Sequence, residues 1–108
     1  MLFPVSRTPQ LKGVIDLPAS KSYSIRAFFI AACGGISRVI SPSDCDDAKV
    51  ALEIAKTFGA TVSEVPGGFI IKAPPGHMRQ EHLKVDVNES GTSLRFVLPL
   101  LPFHCRTA

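Results

Sequence analysis

The sequence predicts an α/β (α+β) protein built as one βαβαββ unit followed by the opening strand and helix of a second. Three observations carry that prediction. Short β-branched runs alternate with stretches of helical periodicity. Turn chemistry stands between them, at Pro18, Gly34-Gly35, Gly59 and Pro66-Gly67-Gly68. The same opening also occurs twice: LKGVIDL and LKVDV each lead through a Ser-containing turn into a helical pattern.

Taken in order, residues 1–10 read as an extended lead-in, because Pro4 and Pro9 oppose a helix. Leu11 to Leu17 reads as a strand, closed by Pro18. Ser20 is the expected N-cap of a helix from about Lys21 to Cys33. Its residues Ile25, Phe28, Phe29 and Ala32 follow the i, i+3, i+4, i+7 rule, and Gly34-Gly35 stops it. Ser37 to Ile40 is a short strand. Ser41 to Asp44 supplies turn and cap residues for a second helix, Cys45 to Phe58, whose apolar face is Ala48, Ala51, Leu52, Ala55 and Phe58. Gly59 sits where a left-handed residue is wanted. Ala60 to Val65 and Phe69 to Lys72 flank a Pro-Gly-Gly turn and read as a hairpin.

Residues 74–82 show no periodicity and read as a loop. Leu83 to Val87 alternates like a half-buried strand. After Gly91, Leu94, Val97, Leu98 and Leu101 share one helical side, with Pro99 and Pro102 disputing where that helix ends. Residues 1–108 are thus expected to form a single partial domain, with the first unit over about 11–74 and the start of the second over about 83–108. Stopping one and a half units in, on the apolar run RFVLPLLPFHC, reads as part of a longer protein.

Composition narrows the function classes. With 45% hydrophobic and 19% charged residues, the chain of 108 residues is globular rather than disordered. The net charge of +3 permits an anionic ligand, but no Lys/Arg cluster marks a nucleic-acid surface. Cys33, Cys45 and Cys105 are widely spaced, lack metal-ligand spacing and have no neighbouring base, so each is expected to be a small buried hydrophobe in a reducing compartment. His77, His82 and His104 lack zinc-site spacing and are expected to be exposed in or near loops. No secretory signal is expected in Met1 to Asp16. The apolar stretch Phe96 to Phe103 is too short to span a bilayer.

Two constellations could carry chemistry. In Pro18-Ala19-Ser20-Lys21-Ser22-Tyr23-Ser24-Ile25-Arg26, a cation, a hydroxyl and a guanidinium gather in the first turns of a helix. Free N–H groups and the helix dipole there already favour an anion, so the set is equipped to hold a phosphate. An ordinary N-capped helix with a solvated polar face reads equally well. Glu89-Ser90-Gly91-Thr92-Ser93-Leu94-Arg95 repeats the idea at another helix start: Gly91 permits close backbone approach, Thr92 and Ser93 offer hydroxyls, and Arg95 adds a cation. Two such sites point to a ligand with two anionic groups. Asp44, Asp46 and Asp47 could serve as acid/base groups or metal ligands, but the simpler reading is that they complement a helix dipole.

These residues also carry a family resemblance. LKGVIDLPASKSYSIRAFFIAA is similar to the N-terminal signature of the EPSP synthase (3-phosphoshikimate 1-carboxyvinyltransferase) family, Pro-Gly/Ala-Ser-Lys-Ser followed by Arg-Ala. SPSDCDDAKVALEIAKTFGA resembles its acidic turn, helix and Gly-Ala exit, and NESGTSLRFVLPLL its Gly-Thr helix start. The resemblance runs from about residue 10 to the end, in the family's order and spacing. The paralogous UDP-N-acetylglucosamine enolpyruvyl transferases usually carry Lys-Asn at the first site, so Ser22 and Arg26 favour the shikimate branch.

The resemblance implies a two-domain transferase, each domain made of three βαβαββ units, with the ligands in the cleft between them. It implies transfer of the enolpyruvyl group of phosphoenolpyruvate to the 5-hydroxyl of shikimate 3-phosphate, with release of phosphate, on the way to chorismate and the aromatic amino acids. No metal or organic cofactor is implied. Lys21 would contact both substrates. Ser22 and Arg26 would bind shikimate 3-phosphate, and Gly91 would present its backbone to phosphoenolpyruvate, where glyphosate also binds in the family. Glu89, Ser90, Thr92, Arg95, Asp46 and Asp47 would be pocket neighbours. Glu89 departs from the family's Asn-Ala/Ser-Gly form; its carboxylate would repel an anion unless Arg95 or Lys21 compensates.

The family's catalytic Asp, Glu and Lys would lie beyond Ala108, so no catalytic residue is expected within this chain and no turnover from it alone. Its expected partners are the two substrates and the remaining units of the enzyme, with no nucleic acid and no membrane. Leu94, Phe96, Leu98, Leu100 and Leu101 would lack cover, which predicts self-association. The expected location is the cytoplasm, or a plastid if a transit peptide has been removed. Two other classes stand beside this one: a phosphate-binding scaffold without catalysis, and a small RNA-binding module. Against the second, the chain lacks aromatic RNA-binding motifs and interleaved basic residues.

Overall fold

The computed structural model describes residues 2–74 and 80–107. His77 and most of the expected 74–82 loop lie outside the described residues. Helix α1 (Lys21–Cys33) has the predicted bounds. Its apolar spacing turns Ile25, Phe28, Phe29 and Ala32 to one side, and all four are buried. Burying each large side chain among them contributes about 1.5–3 kcal/mol. Strand β1 (Ile36–Ile40) follows, then α2 (Asp46–Thr57), β2 (Thr61–Val65) and β3 (Gly68–Lys72). The three strands form an antiparallel sheet in the order β1-β3-β2.

Register decides which side chains meet the helices. Val39 pairs with Phe69 and Val62 with Ile71, and the period of two puts these on one face. That face takes the helices: the Phe69 ring meets Phe28 edge-on at 6.1 Å, and Ile71 is fully buried. On the other face Ile36 and Ile40 stay exposed. Helix α2 joins the same core through Ala48, Ala51, Ile54 and Ala55, and its three alanines, being small, allow close approach. Gly59 has the expected positive φ, +104°, past the end of α2.

Two expected strands are absent, and one sheet was not foreseen. Leu11 to Leu17 joins no ladder; Leu11, Val14, Ile15 and Leu17 are all exposed. A strand needs a partner for its N–H and C=O groups, and none of the described strands lies beside this segment. Leu83 to Val87 keeps its alternation as burial, with Leu83 buried and Lys84 and Asp86 exposed, yet forms no ladder. The chain pairs instead just before it. Strand β4 (Gln80–His82) lies parallel to β5 (Cys105–Thr107), with Gln80 opposite Cys105.

Helix α3 (Gly91–His104) continues through Pro99 and Pro102. Both prolines are exposed, as are Arg95 and Leu98, whose carbonyls lose the proline N–H partners. Water can satisfy those carbonyls, so the helix survives. Of the α3 residues expected to lack cover, Leu94 and Leu98 are exposed, while Phe96, Leu100 and Leu101 are half-buried.

Cysteine and histidine placements also differ from expectation. Cys105 is buried and its thiol donates to Leu101 O at 3.3 Å, but Cys45 is only half-buried and Cys33 is exposed at the end of α1. His82 is exposed. His104 is not a free loop residue: it ends α3 and its ring stacks on Phe58 at 4.2 Å and 5°. Partial burial lowers its pKa below the usual 6.5. The folded state therefore favours neutral imidazole, so this contribution to stability is complete above pH 6.5 and fades as acid protonates the ring. Melting of the wild type and of His104→Phe between pH 8 and pH 5 checks this. The wild type should lose more stability on acidification; equal losses contradict the assignment.

Candidate functional site

The start of α1 is set by two serines. The Ser20 hydroxyl accepts from Tyr23 N–H at 3.3 Å, the expected N-cap. Ser24 does a second job that its sequence position did not reveal. Its hydroxyl donates to Ser20 O at 2.7 Å and accepts from Ser43 N–H at 2.8 Å, which ties the lead-in of α2 to the first turns of α1. The expected cap for α2 from the Ser41–Asp44 turn is replaced by Cys45, which makes no side-chain cap bond; Ser43 Oγ instead accepts from Cys45 N at 3.3 Å. Asp46 and Asp47 lie in the first turn of α2, where they complement its dipole.

That tie brings Asp47 to Lys21, Oδ2 to Nζ 3.2 Å. Their side chains are 53% and 28% exposed, so water screens the pair and it is worth at most about 1 kcal/mol. Its significance is placement: it draws the ammonium of the first α1 residue toward the first turn of α2. Ser22 is half-buried in the same turn, and Asp44 and Asp46 remain exposed.

Arg26 is exposed one turn further along and points to a different neighbour. Its Cζ lies 5.9 Å from the centre of the Tyr23 ring and 5.8 Å from that of Phe96 on α3. Phe96 in turn rests against Phe29 at 6.0 Å. The first constellation is thereby joined to the helix that the second one starts. Tyr23 and Phe96 are named in the sequence analysis for other reasons, not as partners of Arg26; an aromatic three residues before the arginine on the same helix was the available signal for Tyr23, and none existed for Phe96.

At the α3 start, Ser90 is the N-cap, accepting from Ser93 N–H at 3.1 Å. Gly91 is exposed, and among the described residues nothing beyond its chain neighbours and its own helix backbone lies within 4 Å of where its Cβ would stand, so this helix start is open on that side. Thr92 is half-buried. Ser93 corrects an expectation: it is fully buried, so its hydroxyl is not offered to a ligand. Glu89 and Arg95 are both exposed, and among the described residues neither forms an ion pair. Lys21 answers Asp47 rather than Glu89. Among the described residues no three His, Cys, Asp or Glu side chains gather as a metal-binding group.

Chemically, the arrangement offers the N-termini of α1 and α3, an ammonium beside the first of them and, among the described residues, a guanidinium whose donors are not taken by a carboxylate. Such a set binds oxyanions.

The family model for EPSP synthase (3-phosphoshikimate 1-carboxyvinyltransferase) matches residues 5–106. A Methanosphaera stadtmanae protein named 3-phosphoshikimate 1-carboxyvinyltransferase is 37% identical over 94 residues, covering 86% of this chain and 22% of its own length. Proteins of the same name from Acetivibrio thermocellus and Pyrococcus abyssi are 33% and 34% identical, over 83% and 87% of this chain. Each of these alignments takes in 22% of the relative, so the chain spans about a fifth of the length of the curated relatives it matches. With the family model matched over residues 5–106, and the Lys-Ser, acidic-turn and Gly-Thr segments all inside that range, the chain belongs to the EPSP synthase family.

Proposed function

We propose that this chain supplies part of the anion-binding surface of a 3-phosphoshikimate 1-carboxyvinyltransferase. The observation that carries the reading is how the two cations of α1 are placed: Lys21 pairs with Asp47 of α2, and Arg26 lies over Phe96 of α3, the helix that Gly91 begins. Lys21, Ser22 and Arg26 bind shikimate 3-phosphate, while Lys21 and the Gly91 backbone face phosphoenolpyruvate.

In the transfer, the 5-hydroxyl of shikimate 3-phosphate adds to the enol carbon of phosphoenolpyruvate, and phosphate later departs. Both steps move charge on ligands that are already highly anionic. Fixed cations and helix N-termini stabilise that charge without reorganising, which is where such catalysis gains most. The residues of this chain bind and orient; proton transfer falls to groups outside it.

Two measurements of phosphate release test the assignment. The chain alone, given both substrates, should show no release above the uncatalysed rate. A chimera in which residues 5–106 replace the matching region of the Methanosphaera relative should turn over. In it Arg26→Gln should cut kcat/KM about tenfold or more, the worth of a lost charge-assisted hydrogen bond. Turnover by the isolated chain, or a chimera indifferent to Arg26, contradicts the reading.

A further inference from the structure

We propose that Phe96, together with Tyr23, is a positioning residue for Arg26: one ring from each helix sets where the guanidinium lies and leaves its N–H edges for the oxygens of a phosphate. This rests on the reading of the α1 start as an anion site.

The two basic side chains of α1's first turns are held in different ways. Lys21 already faces a carboxylate at 3.2 Å. Among the described residues no carboxylate pairs with Arg26. Its Cζ lies instead 5.9 Å and 5.8 Å from two ring centres, within the roughly 6 Å reach of a cation–π contact. A phenyl or phenol ring attracts the cation through its π-face and brings no carboxylate oxygen to the N–H donors. The N–H donors lie in the guanidinium plane and stay available, in the fork that matches phosphate oxygens. A carboxylate would occupy those same donors and compete with the ligand, whereas a ring does not.

Phe96 is itself anchored. It is half-buried and meets the buried Phe29 at 6.0 Å with the planes tilted by 42°. One side of the bracket therefore belongs to α3, and the position of the first site's arginine depends on the helix of the second. Phe96 offers no polar group, so its effect on a phosphate runs through Arg26.

The Arg26 Nε–Hε and Hδ resonances, observed in the 108-residue chain and during titration with inorganic phosphate, test this. The variants are Phe96→Leu, Phe96→Trp, Tyr23→Leu and Arg26→Gln. Tyr23 is 73% exposed, so Tyr23→Leu leaves the core intact even where Phe96→Leu disturbs it. In the wild type, ring currents should displace the Arg26 signals from free-arginine positions. Tyr23→Leu and Phe96→Leu should each move them back and weaken phosphate binding about two- to fivefold, the value of an exposed cation–π contact. Phe96→Trp should bind within about twofold of wild type, because it restores a ring face.

Undisplaced Arg26 signals in the wild type would overturn the bracket. So would unchanged phosphate affinity in both Leu variants while Arg26→Gln loses binding. If Arg26→Gln binds as tightly as wild type, the anion-site reading itself has failed, and the bracket's phosphate role falls with it.

Discussion

Phe28→Ala is expected to be the most damaging truncation of a single core side chain. Phe28 is 1% exposed, lies mid-way along α1 and meets Phe69 of β3 edge-on. It links the helix that carries Lys21, Ser22 and Arg26 to the sheet beneath. Removing a buried phenyl ring costs about 3–5 kcal/mol, through lost transfer energy and the cavity left behind. A chain of this size has on the order of 5–15 kcal/mol in total. The urea midpoint should fall by about 1–3 M with an unchanged slope. A fall below about 0.3 M would mean that the phenyl ring is not packed as described.

Gly68→Ala should come close to that effect for a different reason. Gly67 and Gly68 are adjacent in the hairpin but constrained differently. Gly67 has φ +79°, the value wanted at the third place of a Pro-Gly turn, and a Cβ there meets nothing within 4 Å among the described residues beyond its chain neighbours. At Gly68 an added Cβ would collide with the Val39 carbonyl oxygen and approach Ile40 Cα at 3.2 Å. Both belong to backbone of the neighbouring strand, so relief requires β1 and β3 to separate. The expected cost is about 3 kcal/mol, at the upper end for overpacking. Gly67→Ala should cost about 1–2 kcal/mol, from left-handed strain alone. Chemical denaturation of both variants checks the order; a larger loss for Gly67→Ala would contradict the register of β1 on β3.

How much of this could be read from the sequence depends on the range of each interaction. The bounds of α1 were legible because Ser20, the apolar spacing and Gly34-Gly35 all act locally. The hairpin was legible for the same reason: Pro66-Gly67 fixes its own turn. Leu11 to Leu17 and Leu83 to Val87 misled because alternation describes a strand's faces, whereas a strand exists only with a partner. The β4–β5 pair has three residues on each side, too few to leave a pattern. At the site, both helix starts and their basic residues were visible. Their relations were not. Asp47 reaches Lys21 through a fold contact set by Ser24 and Ser43, and Phe96 reaches Arg26 from a helix far along the chain.

The titration of the ¹⁵N-labelled chain with shikimate 3-phosphate, followed by backbone amide shifts, tests the central claim most directly. If the α1 start is a formed part of the substrate site, Lys21, Ser22 and Arg26 shift together and saturate. If those amides stay still while the rest of the spectrum shows a folded chain, the α1 start is not a shikimate 3-phosphate site in this protein as it stands.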